Sequence, residues 1–173
     1  NAPQYPKGLR VDVFVTHLAG DVEETDALNH YLGMPPLNDG GQLERSISAI
    51  AITSMGLLLV GSVFVHNRWA ALLSIPVVAY PLVFLADLYL ILYRYGHSID
   101  PNSALGGAIE PFTPPLFGEG KIGQFGTLAV AEPGLYLAVL ASVVILIGLY
   151  FHRAAYRPIV EARRRLAAER TAA

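Results

Sequence analysis

Three stretches of this chain are almost free of charge, and each is long enough to cross a bilayer as a helix. The first is Ile47–Val65, "ISAIAITSMGLLLVGSVFV", 19 residues with no charge. The second is Ala70–Tyr93, "AALLSIPVVAYPLVFLADLYLILY", in which Asp87 is the one charged residue. The third is Gly134–Phe151, "GLYLAVLASVVILIGLYF", 18 residues with no charge. A hydrocarbon core about 30 Å thick needs about 20 helical residues, so each run can span it. Burying all three inside a soluble core would take more polar sequence than the chain has: of its 173 residues, 53% are hydrophobic and 15% charged. The expected fold is therefore a mainly α integral membrane protein, with three transmembrane helices and a small α+β or irregular cap outside the membrane.

Charge sets the expected orientation. Residues 152–173 carry six arginines against Glu161 and Glu169, which is 6 − 2 = +4. Residues 1–45 carry three basic and seven acidic groups, which is 3 − 7 = −4. The loop after the second run has Lys121 as its one base and is net acidic. Lys and Arg near membrane ends favour the cytoplasm, so the tail is expected inside and the N-terminus outside. Arg68, in the link His66–Trp69, then falls on the inner side as well. The organisation read from this is an extracytoplasmic segment 1–45, two spans within 46–95 (47–65 and 70–93), a Pro/Gly-rich extracytoplasmic loop 96–133, a third span 134–151 and a basic cytoplasmic tail 152–173. The chain starts at Asn1, and an outside N-terminus leads us to expect a cleaved signal peptide or a preceding span.

Outside the runs the signals are shorter. "LRVDVFVTH", residues 9–17, alternates and predicts a half-buried strand with Val11, Val13 and Val15 inward, followed by a turn at "AGD". Asp21 and Glu24 have capping-box spacing and predict a helix over Val22–Leu32. Gly33 follows where a left-handed residue ends a helix, and Pro35 and Pro36 block its continuation. Loop 96–132 holds four prolines and no periodic run. A loop of that length is expected to pack against segment 1–45 or a partner. Pro76 and Pro81 predict a bend in the second span, and the tail is expected to form a helix after Pro158, near anionic headgroups or a partner.

Two sets of residues could carry chemistry. His30 and Met34, with His17 at the strand end, offer imidazole and thioether donors, which suit copper, and the chain has no cysteine. Asp21, Glu23, Glu24 and Asp26 could assist capture. The competing reading makes the same residues a helix end: Gly33 at C′, Met34 packing back on the last turn near Leu28, and His30 favourably placed against the helix dipole. The second set is Asp87, with Arg94 two turns on. A carboxylate at mid-membrane costs about 2.5–3.5 kcal/mol and is a functional candidate by default, here weighed against a structural hydrogen bond. Tyr89, Tyr93 and Tyr95 mark the outer interface, and His97 is a further candidate ligand beside Gly96. No phosphate loop, nucleophile elbow, HExxH or haem-attachment motif occurs, so no catalytic residue is assigned.

The blocks "NAPQYPKGL", "GDVEETDALNHYLGM" and "YGHSIDPNSALGG…EPFTPPLFGEGKIGQF" resemble a group of bacterial membrane proteins encoded beside copper and nitrous-oxide-type respiratory genes. The resemblance covers both extracytoplasmic segments and the start of the third span, and implies a bacterial inner-membrane location. It is compatible with copper at His30 and Met34, and equally with an accessory subunit of an electron-transfer complex. The leading expectation is a non-catalytic accessory or structural subunit of a larger respiratory or photosynthetic membrane complex, docking through its cap and helices. Its partners would be that complex and lipid, not nucleic acid, and it would need no cofactor of its own. The alternative is a copper-handling accessory protein with His/Met ligands outside the membrane.

Overall fold

The computed structural model describes residues 5–65, 69–122 and 125–172, the side chains at 164, 167, 171 and 172 excepted. Arg68, expected on the inner side, therefore lies outside the described residues. Strands β1 (Val11–Val13) and β2 (Leu18–Gly20) form an antiparallel hairpin, followed by helix α1 (Val22–Leu32) and a 3-10 turn at Leu37–Asp39. Helices α2 (Gln42–Phe64) and α3 (Trp69–His97) come next. A 3-10 turn at Gly106–Ala108 leads to a second antiparallel hairpin, β3 (Gly118–Ile122) and β4 (Phe125–Ala129). Helix α4 (Pro133–Ala172) closes the chain.

Three helices are long and apolar enough to cross a membrane: Gln42–Phe64, Trp69–His97 and Pro133–Arg170, with mean hydropathies of 2.1, 2.1 and 2.4 in their most apolar windows. Each is longer than its uncharged run, because the polar residues that flank the runs are also helix formers. Pro76 and Pro81 lie inside α3 without ending it.

The tail departs from expectation in one respect. It is helical after Pro158 as expected, but as the continuation of α4, 40 residues or about 60 Å long. One proline removes a single backbone donor, and the flanking Ala, Arg, Leu and Glu residues have high helix propensity. Arg157 Nε also donates to Glu161 Oε1 at 2.8 Å, an i,i+4 pair that bridges Pro158.

The chain divides into two compact units. One is Asn1–Ala51 with Leu82–Glu132; the other is Ile52–Pro81 with Pro133–Ala173. Among the described residues, the second unit is built from parts of α2, α3 and α4. Its buried positions include small residues, Ser62, Ser74, Ala70 and Ser142, the residue types that let apolar helices approach one another. Each serine hydroxyl is satisfied along its own helix: Ser62 on Leu59 O, Ser74 on Ala70 O and Ser142 on Ala138 O. Ser142 Oγ also lies 3.5 Å from Val77 O of α3.

The first unit holds both hairpins, α1, and the adjoining ends of α2 and α3. The expected strand over residues 9–17 is shorter than its alternation suggested. Only Val11–Val13 pairs, and Phe14 to His17 form the turn, closed by Phe14 N–H on His17 O at 2.9 Å. Val13 and Val15 are exposed rather than inward, because no layer packs over that face. The "AGD" turn is instead the pairing strand β2 and its exit. In the long loop, Gly118–Ile122 and Phe125–Ala129 pair as a hairpin that a period-two search misses, since glycines occupy positions where apolar residues would alternate.

Candidate functional site

The segment "DALNHYLGM" folds as a helix end. Gly33 has φ 77°, in the left-handed region. Its N–H donates to His30 O at 3.2 Å, and Met34 N–H donates to Asn29 O at 2.8 Å. These are the two bonds of a Schellman motif, with Gly33 at C′ and Met34 at C″. Leu32 and Met34 are buried, whereas His30 is exposed in the last turn. At the other end of α1 the capping box does not form. Asp21 makes no side-chain cap, because its carboxylate accepts Arg10 N–H at 2.9 Å across the base of the first hairpin. Thr25 Oγ1 donates to Asp21 O instead.

The helix end is a junction as well. Asp100 N–H donates to Gly33 O at 2.9 Å, and Leu105 N–H to Tyr31 O at 3.1 Å, so the long loop is seated on α1 as expected. A Cβ on Gly33 would lie 2.4 Å from Ser103 Oγ and 2.6 Å from Asp100 O. Gly33→Ala therefore meets two penalties. The left-handed backbone costs about 1–2 kcal/mol for a residue with a Cβ, and overpacking adds about 1–3 kcal/mol. Gly8 has φ 76° and nothing within 4 Å of the point where a Cβ would sit, so Gly8→Ala carries the backbone part alone. Gly33→Ala is expected to lower the melting temperature well beyond Gly8→Ala. Equal shifts would mean that the loop does not sit on the helix end.

The polar turn after α1 is held from three sides. Asp26 Oδ1 accepts Leu37 N–H at 2.7 Å. The Arg45 guanidinium donates to Gly40 O and, at 2.6 Å, to Asn38 O. Tyr95 OH, from α3, donates to Pro36 O. Two of the carboxylates available for metal capture, Asp21 and Asp26, are thus hydrogen-bonded to backbone, while Glu23 and Glu24 are exposed.

The candidate copper donors occupy different surroundings. Met34 is 9% exposed. His30 is exposed, and His17 stacks on Phe14 at 4.8 Å with its Nδ1 3.1 Å from Thr16 Oγ1. Among the described residues, no group of three or more His, Asp or Glu side chains could hold a metal ion. The fold thus leaves the Met34 side chain buried and the His30 imidazole exposed. The helix-end bonds account for the left-handed Gly33.

Asp87 has company that sequence reading missed. Glu44, in the first turn of α2, lies within electrostatic reach of it, as does Arg94. A Cβ on Gly41 would be 3.6 Å from Ile91 Cδ1, and one on Gly40 would be 3.0 Å from the Tyr95 ring. The start of α2 therefore lies beside residues 87–95 of α3, and the last turns of α3 run past it. Asp87 and Arg94 form no ion pair; among the described residues the pairs are Arg10–Asp12, Arg10–Glu132 and Arg157–Glu161. The uncharged part of α3 is Trp69–Ala86, 18 residues or about 27 Å. Asp87 thus ends that stretch, at the level of Glu44, rather than interrupting it. Nothing in linear sequence signals this, since it depends on how far α3 extends beyond α2. His97, one turn on from Tyr93, stacks on that ring at 4.0 Å and has its Nδ1 2.8 Å from Tyr93 O, which gives it a local partner at the helix end.

Compared with family models, curated proteins and solved structures, the chain has no match.

Proposed function

We propose that this is a multi-pass protein of the bacterial inner membrane, a non-catalytic accessory subunit of a larger membrane electron-transfer complex, respiratory or photosynthetic. Its N-terminal unit lies outside and its basic tail in the cytoplasm. The observation that carries the reading is how little the apolar helices bury within the chain. Only 11% of the most apolar window of α2, and 6% of those of α3 and α4, is buried. Lipid can cover such faces, but helices that pack so little on one another suit a subunit whose stability comes from neighbours. The first unit fits the same reading: Asp21, Asp26, Arg45 and Tyr95 hold its loops in a fixed shape. Electron transfer itself enters through the sequence resemblance.

Purification of the native protein from membranes in mild detergent tests the proposal. It is expected to co-migrate with a larger assembly that carries a redox chromophore. Migration as a lone chain, with no haem, flavin, copper or pigment absorbance, would overturn it. The same preparation addresses copper handling through His30, Met34 and His17. Met34→Leu barely changes side-chain volume and is expected to leave assembly yield and metal content unchanged. Loss of stoichiometric copper on that single substitution would replace the subunit reading with the copper one.

A further inference from the structure

The tip of the first hairpin carries three consecutive exposed apolar residues, Val13, Phe14 and Val15, at 67%, 51% and 50% exposure. A run of that kind on a soluble surface needs a cover. Its base indicates which. Arg10, one residue before β1, reaches Glu132 Oε1 at 3.6 Å through Nη2. Glu132 immediately precedes α4, whose apolar window begins within its first turns. If α4 crosses a bilayer, Glu132 is at the headgroup level, and so is the base of the hairpin. From Arg10, Phe14 is four residues away, about 13 Å of extended chain. The headgroup layer on one side is about 5–8 Å deep. The tip is therefore within reach of the acyl chains. The segment that leads into α4 is apolar and exposed as well: Leu128, in β4, and Val130, just after it, are 68% and 67% exposed, within five residues of Pro133.

We propose that the Val13–Phe14–Val15 tip is a membrane-interface anchor, inserted at the headgroup and acyl boundary of the outer leaflet beside the entry point of α4. The occupant of this apolar surface is lipid. Phe14 stacked on His17 presents an amphipathic pair, an apolar ring backed by a polar one, which suits that depth. The inference rests on the membrane reading above, and the test separates the two.

Trp69 is the sole tryptophan of the chain, so a Trp69→Phe background is free of tryptophan emission. Into it go three single probes: Phe14→Trp and Val15→Trp at the tip, and Leu140→Trp within α4. The full-length protein is reconstituted in phosphatidylcholine vesicles whose acyl chains are brominated close to the headgroup or deep in the chain. The tip probes are expected to emit to the blue of free tryptophan and to lose emission with the shallow bromines but not the deep ones. Leu140→Trp is expected to be quenched by the deep bromines. Tip probes that ignore bromine and yield to aqueous acrylamide, with Leu140→Trp still quenched, would overturn the anchor and leave the membrane reading standing. Tip probes shielded from both quenchers would also overturn it, since protein rather than lipid would then cover the tip. An unquenched Leu140→Trp would bring down both readings.

Discussion

Gly96→Ala is expected to release the loop that follows α3. Gly96 is buried near the C-terminal end of α3, and a Cβ there would sit 1.8 Å from Phe112 O and 2.8 Å from its carbonyl carbon. The obstacle is backbone, which cannot rotate away as a side chain can. The same approach carries a hydrogen bond, Phe112 N–H to Gly96 O at 3.1 Å, which the displaced loop would lose. Overpacking costs about 1–3 kcal/mol, and a rigid neighbour places this case at or beyond the top of that range. Tryptic cleavage at Lys121, exposed but paired with Gly126 across the second hairpin, measures the outcome. Cleavage should be slow in the native protein and fast in Gly96→Ala. Gly126→Ala supplies the control, since nothing lies within 4 Å of its Cβ position. If Gly96→Ala resists trypsin as the native protein does, the loop is not held against α3 in this way.

The second large effect is all-or-none. The chain contains no cysteine, so a single introduced thiol reports without background. Asp39 is exposed in the turn before α2, and Glu169 is exposed near the end of α4. In intact cells, Asp39→Cys is expected to react with a membrane-impermeant thiol reagent, while Glu169→Cys reacts only after lysis. The expectation follows from six arginines concentrated in the tail and the acidic balance of residues 1–45. Labelling of Glu169→Cys alone would invert the topology and move the whole first unit to the cytoplasm.

What could be read from sequence was mostly local. Helix α1 runs over Val22–Leu32 as its pattern indicates, because Gly33 and the following prolines act within a few residues. The three apolar helices follow from composition alone. The misreadings share a cause, which is competition from distant partners. Asp21 has the spacing of a capping residue, but Arg10 N–H takes its carboxylate from the far strand of a hairpin. The alternation of residues 9–17 is real, yet an inward face needs a second layer, and none covers Val13 or Val15. The neighbourhood of Asp87 depends on the offset between α2 and α3, which no periodicity encodes. His30 and Met34 are equally plausible donors by residue type. Only the fold separates them, leaving His30 exposed and Met34 buried.

The seat of the long loop on α1 also implies an order of biogenesis. Gly33 O and Tyr31 O accept from Asp100 and Leu105, and both α2 and α3 lie between these partners in the chain. With those helices across a bilayer, the nascent chain cannot close the first unit until the whole helical hairpin has been threaded and residue 105 stands on the same side as α1. Until then Tyr31 O and Gly33 O lack the N–H donors of the loop. Completion of the first unit would thus act as a proofreading step for insertion. A chain whose second apolar helix failed to cross would strand the two halves of the unit on opposite sides of the membrane, leaving an unfolded segment that quality-control proteases can recognise.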